Sequence, residues 1–170
     1  MNNRTSNLPV LDMSKSTTGC CPKFDPSAWD GKTFEFHDKP FMKDRTVSFM
    51  HIPLNMSKVM ARMQKKASEQ NAVAEDFILL SQDTSPWHAS HFYAVSKDIH
   101  GAKMVRLSGI FYAKVYEGDF KDAGKWHTDL ISTISKRGDE LQELYFYYTT
   151  CPKCSKAYGK NYVVGLAKIS

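Results

Sequence analysis

The sequence has no apolar run that approaches the roughly 20 residues needed to span a membrane. Its first residues, MNNRTSNLPVLDMSKSTTG, contain no compact apolar segment behind a basic one, so a secretory signal peptide is not expected. We therefore predict a cytoplasmic protein that has no membrane partner.

Several catalytic motifs are also absent. The sequence contains no G-x-S-x-G, no H-E-x-x-H and no glycine-rich phosphate loop. Its lysines are scattered, and the densest basic cluster is only Lys65-Lys66. The net charge of +5 is therefore typical of a solvated basic surface and does not indicate nucleic-acid binding.

The composition changes twice along the chain. Residues 1–18 are rich in Asn, Ser, Thr and Lys, which predicts a disordered leader. Residues 19–44 combine turn signals with large aromatic side chains, which predicts an arm packed on the domain. The aromatic residues of this arm are Phe24, Trp29, Phe34, Phe36 and Phe41. The folded domain is expected at residues 45–170.

The domain begins with a strand, a helix and two strands, over about residues 45–98. A strand is predicted at residues 45–52, and Asn55 is a suitable N-cap for the helix that follows. One helical stripe comprises Met56, Val59, Met60, Met63 and Ala67. Two further strands, at residues 76–81 and 91–96, flank a polar loop that contains Trp87.

The same order returns over about residues 104–170. A long strand at 104–116 leads into a helix whose predicted stripe is Phe120, Ala123, His127, Leu130 and Ile134. Gly138 suits the left-handed position after that helix. Strands at 144–149 and 162–168 follow, and the CPKC sequence between them is predicted to be a hairpin tip. Two β-α-β-β units predict an α+β fold, with an antiparallel sheet and two helices on one side.

The glycine-containing strand LSGIFYAKVYEG and the tandem units resemble the GyrI-like small-molecule-binding domain, which also serves as the effector domain of some transcription activators. More narrowly, CCPKFDPSAWDGK, HIPLN and YYTTCPKC resemble a subgroup of stand-alone bacterial proteins often labelled "hydrolase". The resemblance implies a pocket between the two repeats that binds flat, cationic or hydrophobic compounds. It also implies that some relatives hydrolyse strained electrophiles with acidic and aromatic pocket residues.

Aromatic side chains are the candidate ligand-binding residues. Tyr145 and Tyr147 share one face of a strand, where rings could stack on a ligand and hydroxyls could orient it. Trp87 lies in a polar loop, a position that carries function more often than the core does. The full set of candidates is Trp87, His91, Tyr93, Tyr112, Tyr116, Tyr145 and Tyr147.

One acidic residue is the candidate catalytic group. Glu117 follows Tyr116 at a strand end, where a carboxylate could pair with a cationic ligand or act as a general base. An ordinary turn carboxylate near a helix start is the alternative. The leading hypothesis is a small-molecule-binding protein. A hydrolase on the same fold and a zinc- or thiol-dependent interaction or redox module are the alternatives.

Four cysteines occur in two tight pairs, Cys20-Cys21 and Cys151/Cys154. Zinc requires four ligands in a tetrahedron, so the C-x-x-C pair needs partners from the arm. Because adjacent side chains diverge, one of Cys20 and Cys21 is expected to bind, with a histidine as the fourth ligand. Free or redox-active thiols and a disulfide remain alternatives, and a thioredoxin-like activation is not expected because no helix is predicted to begin at CPKC.

Overall fold

A computed structural model describes residues 4–170. They form two compact units, which we call the central unit (His37–Ser108) and the terminal unit (residues up to Phe36 together with Gly109–Ser170). The boundary falls within two long strands, Thr33–Phe49 and Lys103–Glu117. No helix among residues 4–170 is both long enough and apolar enough to cross a membrane.

The strands are β1 Arg4–Thr5, β2 Thr33–Phe49, β3 Ile52–Pro53, β4 Leu79–Ser85, β5 His88–Ala94, β6 Lys103–Glu117, β7 Glu143–Tyr148 and β8 Tyr162–Lys168. The helices are α1 Met56–Glu69, α2 Ala123–Arg137 and α3 Pro152–Tyr158. The order β2-α1-β4-β5 is followed by β6-α2-β7-β8, with α3 added before the last strand. The predicted α+β class is confirmed.

In the central unit, β5 pairs antiparallel with β2 on one side and with β4 on the other. Helix α1 buries Val59, Met63 and Ala67, which lie on the predicted stripe. The spacing of four residues puts these side chains on one face, so the sequence pattern alone locates the buried side of this helix.

The first long strand begins earlier than the sequence predicts, at Thr33 instead of residue 45. It ends at a two-residue turn, Met50 and His51, whose φ angles are 49° and 69°. Phe49 then pairs with Ile52 across the turn. A turn with two positive φ angles ordinarily has the sequence Asn-Gly. Because Met-His is not a typical turn sequence, this hairpin is not predicted from the sequence.

In the terminal unit, β8 pairs antiparallel with β6 and with β7. Helix α2 contributes Leu130 and Ile134 to a buried cluster with Ala167 of β8. The third buried residue of α2 is Trp126, whereas His127 is exposed, so the predicted stripe is wrong at this position. The tryptophan ring stacks on Tyr116 with centroids 5.7 Å apart, and burying this larger apolar surface sets the rotation of the helix.

Two glycine-to-alanine substitutions, one inside α2 and one at the residue that follows it, should change the free energy of unfolding in opposite directions. Gly138 ends the helix at φ 76°, where an alanine Cβ would be strained, whereas Gly124 lies inside the helix with open space at its Cβ position. We expect Gly138→Ala to lower the free energy of unfolding by about 1 kcal/mol. Gly124→Ala should raise it by about 0.5 kcal/mol. Urea unfolding measures both changes, and a stabilising Gly138→Ala would contradict the helix end described above.

Candidate metal centre and adjoining cavity

Four cysteine side chains of the terminal unit converge. The Sγ atoms of Cys20, Cys21, Cys151 and Cys154 all lie within 4.8 Å of one another. Cys20 Sγ is 3.6 Å from Cys21 Sγ and 3.9 Å from Cys151 Sγ. All four thiols are free, and Cys154 is fully buried. The arm therefore meets the C-x-x-C segment.

A short helix, α3, presents two of the thiols. Cys151 is its N-cap residue, and the Cys154 backbone N–H donates to Cys151 Sγ over 3.5 Å. The prediction of a hairpin tip without a helix is therefore wrong. Pro152 occupies the first helical position and Gly159 follows the helix at φ 72°. This proline-first, glycine-last asymmetry is the sequence signal that would have revealed the helix.

Thr18 holds the other two thiols in place. Its Oγ1 accepts hydrogen bonds from the backbone N–H groups of Cys20 (3.3 Å) and Cys21 (3.5 Å). The Tyr158 hydroxyl of α3 donates to the Cys21 carbonyl oxygen. These bonds fold the arm into a turn against α3. The two adjacent thiols consequently approach each other, contrary to the expectation that only one of them would face the C-x-x-C pair.

The same threonine bears on protonation at the centre. Thr18 Oγ1 lies 3.2 Å from Cys154 Sγ, and this hydroxyl is the main reason why the pKa of Cys154 is lowered to about 7. Burial, in contrast, raises the pKa of Cys21. A bound metal ion would displace the remaining thiol protons, because the thiolate is the form that binds metals.

The sulfur separations discriminate between a metal centre and a disulfide. A disulfide requires an S–S distance of about 2.05 Å. A tetrahedral zinc ion with Zn–S bonds of about 2.3 Å instead requires sulfur atoms about 3.8 Å apart. The observed 3.6 and 3.9 Å bracket that value. With all four sulfur atoms within 4.8 Å of one another, the cluster could hold zinc or another thiophilic metal ion.

A cavity of about 200 Å³ adjoins the segments that carry the cysteines. Pro22, which directly follows Cys21, lines it, and so does Thr149, two residues before Cys151. Its aromatic wall consists of Phe24, Trp29 and Tyr147. The Trp29 ring lies 5.5 Å from the Tyr147 ring and 6.2 Å from the Phe24 ring, so the three rings form a connected surface.

Two carboxylates of this cavity are fixed in place. Asp12 and Asp25 each cap a short 3-10 turn by accepting from the backbone N–H and hydroxyl of the serine two residues later. These serine hydrogen bonds lower the pKa of both aspartates. Both side chains are therefore ionised at neutral pH. The cavity also contacts Lys15 and Lys23, and Lys23 Nζ lies over the Tyr158 ring at 5.8 Å.

Of the four predicted tyrosines in the terminal unit, Tyr147 lines this cavity. Tyr145 is buried and donates its hydroxyl to Glu143 over 2.7 Å. The Tyr116 hydroxyl donates to Asp129 over 2.8 Å on the side of helix α2. The Tyr112 ring lies 4.1 Å from the Arg137 guanidinium. Tyr112, Tyr116 and Tyr145 are not among the residues that line the cavity described above.

Three predicted ligand residues belong to the central unit. Trp87 is half exposed beside Phe49, and it lies among exposed apolar side chains at the Met50-His51 turn. Tyr93 is buried edge-on to the Phe77 ring, with centroids 4.8 Å apart. His91 is also buried. Its ring nitrogens lie 2.9 Å from the Thr46 hydroxyl and 2.8 Å from the Ser81 hydroxyl, and burial lowers its pKa to about 4.

The predicted catalytic group, Glu117, ends strand β6. Its carboxylate is exposed and lies 3.9 Å from Lys160 Nζ. Exposed ion pairs of this kind contribute little to stability because solvent screens them.

Sequence reasoning missed several residues of the site. Thr18 and Asp12 fall in the segment predicted to be a disordered leader, yet Thr18 bonds to the cysteine turn and Asp12 lines the cavity. Leu8 in the same segment is buried. The contact between Thr18 and Cys154 joins residues 136 positions apart, and no local pattern indicates such a contact.

Comparison with known proteins identifies the family. Residues 11–169 match the family described as "Bacterial hydrolase", so the chain belongs to that family. No curated protein matches. A solved structure, SAV2435 bound to tetraphenylphosphonium, matches with a TM-score of 0.52 at 8% identity. The match covers 82% of this chain and 93% of that one. Both findings fit the predicted GyrI-like fold.

The buried imidazole of His91 predicts a pH dependence. Its folded pKa of about 4 lies below its ordinary value of 6.5, so the unfolded chain binds the proton first as pH falls. The free energy of unfolding should therefore decrease between pH 6.5 and pH 4, by up to about 3 kcal/mol. An NMR titration of the His91 ring checks this directly, and His91→Gln should show a shallower loss of stability. A midpoint at or above 6.5 would contradict the assignment.

Proposed function

We propose that this member of the Bacterial hydrolase family binds a small aromatic cation in the cavity of the terminal unit, and that a zinc ion held by four cysteines keeps the cavity walls together. One observation carries this proposal. The segments that supply the thiols also supply cavity walls, since Pro22 follows Cys21 and Thr149 precedes the C-x-x-C pair. A metal ion that joins the two segments would fix the shape of the cavity.

Zinc would have a structural role in this centre. Cys20, Cys21, Cys151 and Cys154 would supply all four ligands of a tetrahedral ion and leave no open coordination position, as is typical of structural sites. The ion would add free energy of folding at the junction between the arm and α3. The predicted reducing compartment, the cytoplasm, would keep the thiols available for binding.

The chemistry of the cavity favours a cation with an aromatic ring. Phe24, Trp29 and Tyr147 provide ring faces, which attract a cation through their quadrupoles. Asp12 and Asp25 provide two ionised carboxylates held by their serine hydrogen bonds, and these balance the charges of Lys15 and Lys23, which also line the cavity. The volume of about 200 Å³ lies below the roughly 300–1,000 Å³ of drug-sized sites, so the ligand would be small.

The structural comparison supports the same class of ligand. SAV2435 was solved bound to tetraphenylphosphonium, which is itself an aromatic cation. At 8% identity the likeness extends to the fold, so it guides the choice of ligand class for this chain and not the choice of residues.

Hydrolysis is the second candidate function, and the family description favours it. Glu117 would be the acid-base group. Its carboxylate is exposed and has a lysine as its neighbour at 3.9 Å, an arrangement that serves binding as readily as catalysis. We therefore rank hydrolysis below ligand binding.

Zinc analysis tests the metal centre. Protein purified under reducing conditions without chelator should contain about one zinc ion per chain. Removal of the ion should lower the melting temperature by about 10 °C, since binding at a concentration about 1,000-fold above Kd contributes roughly 4 kcal/mol. Elemental analysis and thermal melts with and without chelator measure both quantities.

Two variants separate thiol ligation from nonspecific binding. Cys151→Ser should lose most of the zinc and the chelator effect. Lys153→Ala changes an exposed residue between the two ligands and should keep both. A wild-type chain that contains no zinc, and that added zinc does not stabilise, would remove the metal from the proposal.

Calorimetric titration with benzyltrimethylammonium, a small aromatic cation, tests the cavity. Phe24→Ala should weaken binding about tenfold, because one ring face is lost. Asp25→Asn should weaken it severalfold, because a fixed charge is lost while the capping oxygen is kept.

Asp119→Asn is the matched control for Asp25→Asn. Asp119 also caps a 3-10 turn by accepting from the backbone N–H two residues later, but it does not line the cavity. Binding to this variant should equal binding to the wild type. Equal affinity for wild type, Phe24→Ala and Asp25→Asn would place the ligand elsewhere.

A further inference from the structure

We propose that Cys20, in the zinc-loaded centre, is a site of covalent alkylation by small carbon electrophiles and reacts before the other three cysteines. This inference rests on the metal centre proposed above. It adds a chemical reactivity to a centre that would otherwise only hold two segments together.

Exposure ranks the four cysteine residues. Cys20 is exposed, Cys21 and Cys151 are partly buried, and Cys154 is fully buried. An electrophilic carbon must approach sulfur along a line opposite its leaving group, which requires open space on that side. Cys20 meets this requirement best.

Hydrogen bonding also distinguishes Cys20 from the other three cysteines. Cys154 Sγ has the Thr18 hydroxyl at 3.2 Å, and Cys151 Sγ accepts the Cys154 backbone N–H. Interaction with the Cys151 backbone also favours the thiolate form of Cys21. Among the residues that the structure describes, the only hydrogen-bonding neighbours of Cys20 Sγ are the other cysteines. A donor occupies a sulfur lone pair and stabilises the thiolate, so the sulfur without such a donor is the most nucleophilic.

The reaction is a simple displacement. The Cys20 thiolate attacks a carbon that bears a halide, a carbon–sulfur bond forms, and the carbon–halogen bond breaks. The halide leaves with the bonding electron pair, and no proton, oxidant or further reactant is required. The product is a neutral thioether at residue 20, and one negative charge is removed from the centre.

Iodoacetamide is the probe. Zinc-loaded wild-type protein is treated with a substoichiometric amount, then denatured in excess N-ethylmaleimide to block the remaining thiols, and mapped by tandem mass spectrometry. Fragment ions that break the chain between residues 20 and 21 distinguish the two adjacent cysteines. Carbamidomethylation of Cys20 should exceed that of each other cysteine by at least about tenfold, which corresponds to about 1.4 kcal/mol in barrier height.

The outcomes separate this inference from the proposal on which it rests. Zinc content is measured on the same sample, and protein that takes up no zinc overturns both. Zinc-loaded protein labelled equally or preferentially at Cys21, Cys151 or Cys154 overturns only the assignment to Cys20. Cys20→Ser should lose the fast phase of labelling, whereas Lys153→Ala, which changes an exposed residue and keeps all four ligands, should retain it. The wild-type map decides the question even if a variant does not fold.

Discussion

The convergence of four thiols is the constraint on which the rest of the site depends. Cys20 and Cys151 lie 131 positions apart in the chain, yet their sulfur atoms are 3.9 Å apart. Closing so long a loop is costly in conformational entropy. Within the centre, the Thr18 oxygen connects both segments by accepting from the cysteine turn and contacting Cys154 of α3. The position of the cavity walls follows from this junction, because the same segments continue into them.

Elements with strong local signals could be predicted from the sequence. The stripe of α1 required only the spacing of Val59, Met63 and Ala67, and the end of α2 required only a glycine that tolerates a positive φ angle. The last strand was predicted with its observed bounds, Tyr162–Lys168. These features depend on interactions between residues a few positions apart, so a short stretch of sequence is enough to predict them.

The remaining features depend on contacts that no short window contains. The rotation of α2 about its axis is fixed by Trp126, which stacks on Tyr116 of β6. The sequence pattern alone is equally compatible with a buried helical stripe that includes His127. The Met50-His51 turn uses residues that rarely adopt positive φ angles. For the site, the sequence indicated the four cysteines and Tyr147. It did not indicate Thr18, Asp12 or Asp25, whose roles arise from the fold of the arm.

The proposed metal centre and the cavity both place charged groups on the N-terminal segment of the chain. Four thiolates with one zinc ion would carry a net charge of −2, whereas the cavity lining contains two carboxylates, Asp12 and Asp25, and two ammonium groups, Lys15 and Lys23. The net negative charge of the proposed centre would therefore favour a cationic ligand over an anionic one. The Thr18 hydroxyl and the backbone N–H donors at the sulfur atoms would stabilise this negative charge, because each hydrogen bond delocalises part of the thiolate charge. Cys20, which has the fewest such donors and the greatest exposure, is where the remaining charge is most available to an electrophile.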